Sequence, residues 1–253
     1  MRRRQLFEFT DLPGLPQLFR GFVTEFLGAT LEFSRPFAVK ADLLVDALEA
    51  TGDERVVDLC SGGAGPWRWL GPWLRTASNH TARVTLTDKF PDPDSVPADV
   101  PIAYWPEPVD ASRVPAELKG MRTLFNGFHH FPPELAREIL RDAVSSGQAV
   151  AVYEALQRTW LGLCVPLFSP IAVLLLSPFV APFRWSRLFF TYLIPVAPLL
   201  ITWDAVVSVL RCYTPEELLS MAKEVSDEGY VWSAGAYWKR GVPVTFLVGY
   251  PRT

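Results

Sequence analysis

The sequence predicts an α/β fold: an open sheet of parallel βαβ units, finished by an antiparallel hairpin. Three observations predict it. The stretch Val56-Val57-Asp58-Leu59-Cys60-Ser61-Gly62-Gly63-Ala64-Gly65 reads as a buried strand that ends on an acid and breaks into a loop of small residues. Short apolar runs then alternate with helical stretches at the spacing of βαβ units. Last, Tyr230 to Trp238 and Val242 to Gly249 are β-rich runs around Lys239-Arg240-Gly241, a hairpin signal.

Composition bounds the alternatives. A chain of 253 residues buries one substantial core, so a single domain with an elaboration is expected. A net charge of -3 and a pI near 5.7 exclude nucleic acid as the main partner. Met1-Arg2-Arg3-Arg4 is basic, but Glu8 and Asp11 follow, and no apolar run of signal-peptide length appears; it reads as a solvated terminus. Cys60, Cys164 and Cys212 are odd in number and show no metal-ligand spacing. They read as reduced and structural, which implies a cytoplasmic location and no metal.

Taken in order, Leu18 to Leu48 suits helices, with Ser34-Arg35-Pro36 as the break between two of them. The first strand begins at Arg55, and Trp67, Trp69 and Leu70 mark the helix that packs back on it. Arg83 to Asp88 is a second strand ending on an acid. Pro101 to Trp105 is a third and Arg122 to Asn126 a fourth. Pro133 to Val144 is helical, and Ala149 to Glu154 is a fifth strand. Tyr213-Thr214-Pro215-Glu216-Glu217-Leu218 starts a helix: Thr214 caps, Pro215 takes the first turn, and Glu217 completes a capping box. Ligands of open parallel sheets sit at the carboxyl ends of the strands, and Asp58, Asp88, Asn126 and Glu154 all fall on that edge.

The strand, acid and small-residue loop at Val56–Gly65 resemble motif I of class I S-adenosylmethionine-dependent methyltransferases, with Cys60, Gly62 and Ala64 at the usual glycine positions. The resemblance covers roughly residues 50–155 and 213–253. The terminal hairpin strengthens it, because that family's sheet ends on an antiparallel strand. It implies a Rossmann-like sheet of seven strands, the last antiparallel, with a helical N-terminus and an apolar insertion after the fifth strand. By the same resemblance, Asp58 and the loop Cys60, Ser61, Gly62 and Gly63 line the amino-acid end and ribose of S-adenosylmethionine. Asp88 holds the ribose hydroxyls, with Lys89 beside it, Phe90 stacks on the adenine, and Asp110 with Ala111 receives the adenine amino group. Asn126 and Gly127 open the motif after the fourth strand. There His129 and His130, adjacent imidazoles, are candidates for a base, at most one of them facing the site. Trp67, Tyr153, Glu154, Asp204 and Arg211 are the candidate acceptor contacts. Phe7-Glu8-Phe9-Thr10-Asp11-Leu12-Pro13 and Pro66-Trp67 also read like this group, whose substrates the sequence does not name.

The expected organisation is a helical cap over 1–50, the donor-binding core over 51–155, a hydrophobic insertion over 156–212, and a C-terminal helix and hairpin over 213–253. Hydrophobic residues make up 49% of the chain, and the surplus lies in the insertion. Trp160 to Phe183 holds no charge, nor does Leu188 to Trp203, but Pro166, Pro170, Pro178, Pro182, Pro195 and Pro198 disfavour straight spans. Arg184 and Arg187 between the runs oppose a spanning hairpin. Three readings stay open: a cap over a pocket for an apolar acceptor, a shallow membrane-inserting hairpin spanning 160–203 at the inner membrane face, or a homodimer surface. The expected function is methyl transfer to a small hydrophobic or lipid-like acceptor, at oxygen if a histidine serves as base. The rivals are a lyase or cyclase that keeps the donor site, and a membrane-associated binding protein without catalysis.

Overall fold

The computed structural model describes residues 1–62, 65–78, 81–91, 96, 102–226 and 228–252. Each predicted strand forms: β1 (Arg55–Asp58), β2 (Arg83–Leu86), β3 (Ala103–Tyr104), β4 (Met121–Phe125), β5 (Val150–Glu154), β6 (Tyr230–Lys239) and β7 (Val242–Pro251). They join in one sheet of order β3-β2-β1-β4-β5-β7-β6. The first five strands run parallel, and β7 lies antiparallel between β5 and β6. The third strand is shorter than expected, although Trp105 N–H continues its pairing by donating to Leu86 O at 2.9 Å. Arg240 and Gly241 both take positive φ at the hairpin, 48° and 79°, as a tight turn matched to the strand twist requires.

Alternation along the strands divides the core into two layers. Val56, Ala151, Tyr153 and Val248 face α2 (Asp42–Thr51) and α3 (Trp67–Ser78). Val57, Leu124, Val152 and Leu247 face α4 (Pro133–Ser145) and α9 (Pro215–Val225). Helix α1 (Gln17–Ser34) ends where Arg35 adopts φ 44°, and a short 3-10 turn, Pro36–Lys40, leads into α2; this is the break expected at Ser34-Arg35-Pro36. Thr214 and Glu217 form the reciprocal cap expected at the start of α9.

The insertion folds as short helices, α5 (Trp160–Leu167), α6 (Ser169–Leu176), α7 (Trp185–Leu188) continued by a π turn, and α8 (Val196–Arg211). Phe26 of α1 packs with Val173, Val180 and Ile201 in a small core of its own. Among the described residues no single helix is long and apolar enough to cross a membrane; the stretches Trp185–Leu193 and Val196–Arg211 pass only as a pair bent by 85°. Arg187 is buried, bonded to Glu25 of α1 at 2.6 Å and to the carbonyls of Ser177, Val180 and Pro182. Arg184 reaches the same Glu25 at 2.8 Å. The two arginines therefore fasten the insertion to α1.

Candidate functional site

The register brings the predicted acids to one edge. Asp58 pairs with Leu86 and Thr123, and Phe125 pairs with Tyr153, so the residues following β1, β2, β4 and β5 emerge side by side. Cys60 takes φ 57° and Gly62 φ 58°, turning the chain sharply off β1. Gly62 N–H donates to Asp88 Oδ2 at 3.0 Å, and Ser61 N–H to Thr87 O at 3.0 Å. The turn after β4 meets this loop from the other side: a side-chain carbon on Gly127 would lie 3.2 Å from Cys60 Cβ. Glycine is needed there for close approach. Burial pushes the Cys60 thiol far up, and Asp88, Asp58, Asp110 and Glu154 all add to the effect. The four carboxylates thus lie near enough to the loop to act on its thiol.

Their exposure separates them. Asp88 is half-buried, its Oδ1 accepting from Phe90 N–H at 2.9 Å. A carboxylate has about four lone-pair sites, so each oxygen retains capacity for a further donor. Among the described residues, side-chain carbons built on Gly62 or Gly65 would meet no atom within 4 Å, which leaves space in front of the loop. The ring of Phe90 is 80% exposed. Asp110 accepts from Ser112 N–H at 2.9 Å and from Ser112 Oγ at 2.7 Å, with Lys89 Nζ 3.8 Å away. Gly63 and Ala64 lie outside the described residues.

Several expected ligand contacts are corrected. Asp58 does not line the opening: it is buried, its Oδ1 accepts from Thr123 Oγ1 at 2.6 Å, and burial raises its pKa to about 6. Ala111 packs into the core with Val109 and Val114. The Asn126 side chain accepts from Ala155 N–H at 2.7 Å, tying the ends of β4 and β5 together from a left-handed backbone, φ 54°. Trp67 is buried against Phe125, and Tyr153 is buried with its hydroxyl donating to Lys40 O at 2.6 Å, so neither side chain reaches an acceptor at this edge.

The remaining candidates converge elsewhere, in a buried polar cluster under the N-terminal segment. His129 is buried, with Nδ1 2.7 Å from Glu154 Oε2, while its backbone N–H donates to Glu154 Oε1 at 3.0 Å. Its Nε2 points at Glu8 Oε1 from 3.6 Å, beyond hydrogen-bond reach. Burial alone would lower the imidazole pKa, but Glu154 and Glu8 overcome it and raise it to about 10. His130, its ring tilted by 35° to that of His129 with centres 4.2 Å apart, sets Nδ1 3.0 Å from Asp11 Oδ1 and Nε2 3.8 Å from Glu8 Oε2. Arg211 binds Asp11 at 2.6 Å, Glu8 at 3.2 Å and the carbonyl of Leu6 at 2.6 Å. Asp204 accepts from the backbone of Phe9 and Thr10 at 2.7 and 3.1 Å. Glu154, Asp204 and Arg211 are therefore committed to this cluster, and each imidazole turns its Nδ1 to a carboxylate, His129 inside the protein and His130 at its edge. Sequence reasoning missed Glu8 and Asp11 as members. Their signal is the pair of acids set among the aromatics of Phe7–Pro13, over one hundred positions from the histidines they meet.

A surface cleft of about 580 Å³ runs from Asp110 and Arg113 along α4 to Arg141, and another of the same size lies over the starts of β1 and β2.

Five parallel strands in the order β3-β2-β1-β4-β5, extended by an antiparallel β7 and β6, make an open Rossmann-like α/β sheet. No protein-family model and no curated protein sequence matches the chain. Among solved structures it is similar to the apo form of the S-adenosylmethionine-dependent methyltransferase SibL, at 16% identity and a TM-score of 0.48, over 96% of this chain and 60% of that one. It is similar to a putative zinc-dependent alcohol dehydrogenase from Rhodobacter sphaeroides, at 15% identity and a TM-score of 0.47, over 93% and 98% of the two chains. Human N-acetylserotonin methyltransferase, solved with S-adenosylmethionine, matches at 13% identity and a TM-score of 0.46, over 100% of this chain and 63% of its own. The chain thus spans less than two thirds of both methyltransferases. At these identities function is argued from the site's own geometry.

Proposed function

We propose that the chain transfers a methyl group from S-adenosylmethionine to a small apolar acceptor. One arrangement carries the reading: a left-handed small-residue loop after β1 held by the acid after β2, with space before it among the described residues and the turn after β4 packed behind. In this reading Asp88 accepts from the ribose hydroxyls, using lone pairs left over from Gly62 and Phe90. Phe90 offers its exposed ring to the adenine, and Asp110 its outer oxygen to the adenine amino group. The backbone of Cys60–Gly62 takes the amino-acid end. Asp58 and Asn126 act beneath them, fixing where β1 and β4 end.

Bound S-adenosylmethionine supplies an electrophilic methyl on a sulfonium, so the protein's task is to align the acceptor and exclude water. No base is assigned. With both rings held by carboxylates, the histidines no longer favour oxygen over nitrogen or carbon, and the proposal stops at the acceptor's polarity. That polarity is supported by the outer surface of the insertion, where Trp160, Phe168 and Phe179 stand 76%, 66% and 82% exposed. We infer that this surface contacts a lipid bilayer and that the acceptor is lipid-like.

Calorimetry tests the donor site. The wild-type chain is expected to bind S-adenosylmethionine and S-adenosylhomocysteine, and Asp88→Ala to weaken both by about 1.5–3 kcal/mol, the loss of charged hydrogen bonds. Absence of heat with the wild type at millimolar donor overturns the reading. Unchanged affinity in Asp88→Ala removes the ribose assignment alone.

A further inference from the structure

Glu8, His129 and His130 are arranged more like the ligands of a metal ion than like a hydrogen-bonded triad. Both Nε2 atoms are aimed at the one Glu8 carboxylate, from 3.6 and 3.8 Å. Those separations are too long for hydrogen bonds. They are close to the spacing of about 3.3 Å between nitrogen and oxygen ligands that share a tetrahedral zinc at about 2.0–2.1 Å. The His129 Nε2 is fully buried and has no hydrogen-bond partner. Leaving a buried polar atom unmatched costs about 1–3 kcal/mol, so it calls for a partner.

The outer groups are those a metal site needs. Each ring turns its other nitrogen to a carboxylate, His129 Nδ1 to Glu154 at 2.7 Å and His130 Nδ1 to Asp11 at 3.0 Å. A carboxylate behind each imidazole fixes the tautomer with the lone pair on Nε2 and raises its basicity toward a metal. Glu8 Oε1 is held by Ser208 Oγ at 2.9 Å and by Arg211 at 3.2 Å, which leaves Oε2 toward His130. Charge points the same way: the carboxylates of Glu8, Asp11 and Glu154 outnumber Arg211, the one guanidinium bonded to the cluster's side chains among the described residues.

We propose that Glu8, His129 and His130 bind a divalent transition-metal ion of the zinc or cobalt class. The two-imidazole, one-carboxylate set suits such ions and disfavours magnesium and calcium, which prefer all-oxygen shells. The ion joins the N-terminal segment to the turn after β4, and that turn carries Gly127 against the loop at Cys60. The spacing rules for cysteine and histidine motifs do not detect it, because Glu8 is supplied from the far end of the chain.

The test uses the untagged full chain, stripped with a chelator and titrated with Zn²⁺ or Co²⁺ alone. Elemental analysis is expected to return one equivalent of metal, and Co²⁺ to give visible d–d bands of a nitrogen–oxygen site. Zn²⁺ is expected to raise the melting temperature of the wild type. Glu8→Gln keeps the shape but removes the charge, and His130→Ala truncates a partly exposed ring, so both variants should fold. Each is expected to lose about tenfold or more in affinity and the thermal shift with it. His80→Ala, which alters the remaining histidine, should bind as the wild type does. A wild type that takes up no equivalent of either ion overturns the proposal, as does unchanged binding in Glu8→Gln and His130→Ala. None of these readouts depends on S-adenosylmethionine.

Discussion

Asp58 is an ionisable group at a strand end with no route to solvent, and its folded pKa of about 6 stands above the ordinary 3.8 because burial penalises the charge. The sign follows from linkage. The folded state binds the proton more tightly, so the associated stability is complete below pH 4 and is lost as pH rises through 6. A shift of about two units corresponds to roughly 3 kcal/mol. Asp58→Asn is therefore expected to gain stability relative to the wild type between pH 4 and pH 7 by up to about 3 kcal/mol, read from urea unfolding at pH 4, 5, 6 and 7. A difference that stays flat with pH would show that Asp58 carries no buried charge. The sequence placed Asp58, Asp88 and Glu154 on one edge because the period of a strand fixes where its last residue emerges. It could not say which carboxylate is buried: that depends on Thr123 from a neighbouring strand, a contact set by register. The same holds for the histidines, whose partners Glu8 and Asp11 arrive from a segment with no periodic pattern.

Elements written by local signals were legible and those written by tertiary contact were not. The hairpin of β6 and β7 follows from Arg240-Gly241, and the cap of α9 from Thr214 and Glu217, each within a few residues. Thr214→Ala is expected to cost about 1 kcal/mol in chemical unfolding, the usual loss for a helix cap. The insertion has no such marks. Its apolar runs show no helical stripe, and its prolines state only where a helix cannot continue. What organises it is Arg187, closed over by Ser177, Val180 and Pro182 and paired with Glu25 of α1. Removing one partner of a buried pair leaves the other charge uncompensated, so Arg187→Met is expected to destabilise by about 3–5 kcal/mol. Limited proteolysis would then cut first within 160–203 if the pair holds the insertion as a unit. A variant as stable and as resistant as the wild type would mean that Phe26, Val173 and Ile201 suffice.

At the scale of the whole molecule, two layers of core and a sheet edge describe most of the chain, but the insertion is packed on one side only. Its inner residues Val173, Val180 and Ile201 are buried, while Leu161, Leu175, Trp185 and Leu199 remain 64%, 66%, 77% and 69% exposed. Exposed aliphatic and aromatic side chains at this density, on helices packed against one another, mark a surface that meets something apolar. The bilayer contact proposed above requires a surface that lies on a membrane rather than crossing it, and the helices, short, bent and anchored to α1, have that form. The wild-type chain is expected to float with phosphatidylcholine vesicles in a density gradient. Phe168→Glu with Phe179→Glu, both at exposed positions, should abolish flotation and leave the melting temperature and S-adenosylmethionine affinity unchanged. Wild type that stays out of the vesicle fraction and sediments as a dimer would reassign the surface to a second copy of the chain. The donor site would then stand without a bilayer beside it, and the lipid-like acceptor would fall with the membrane contact that supports it.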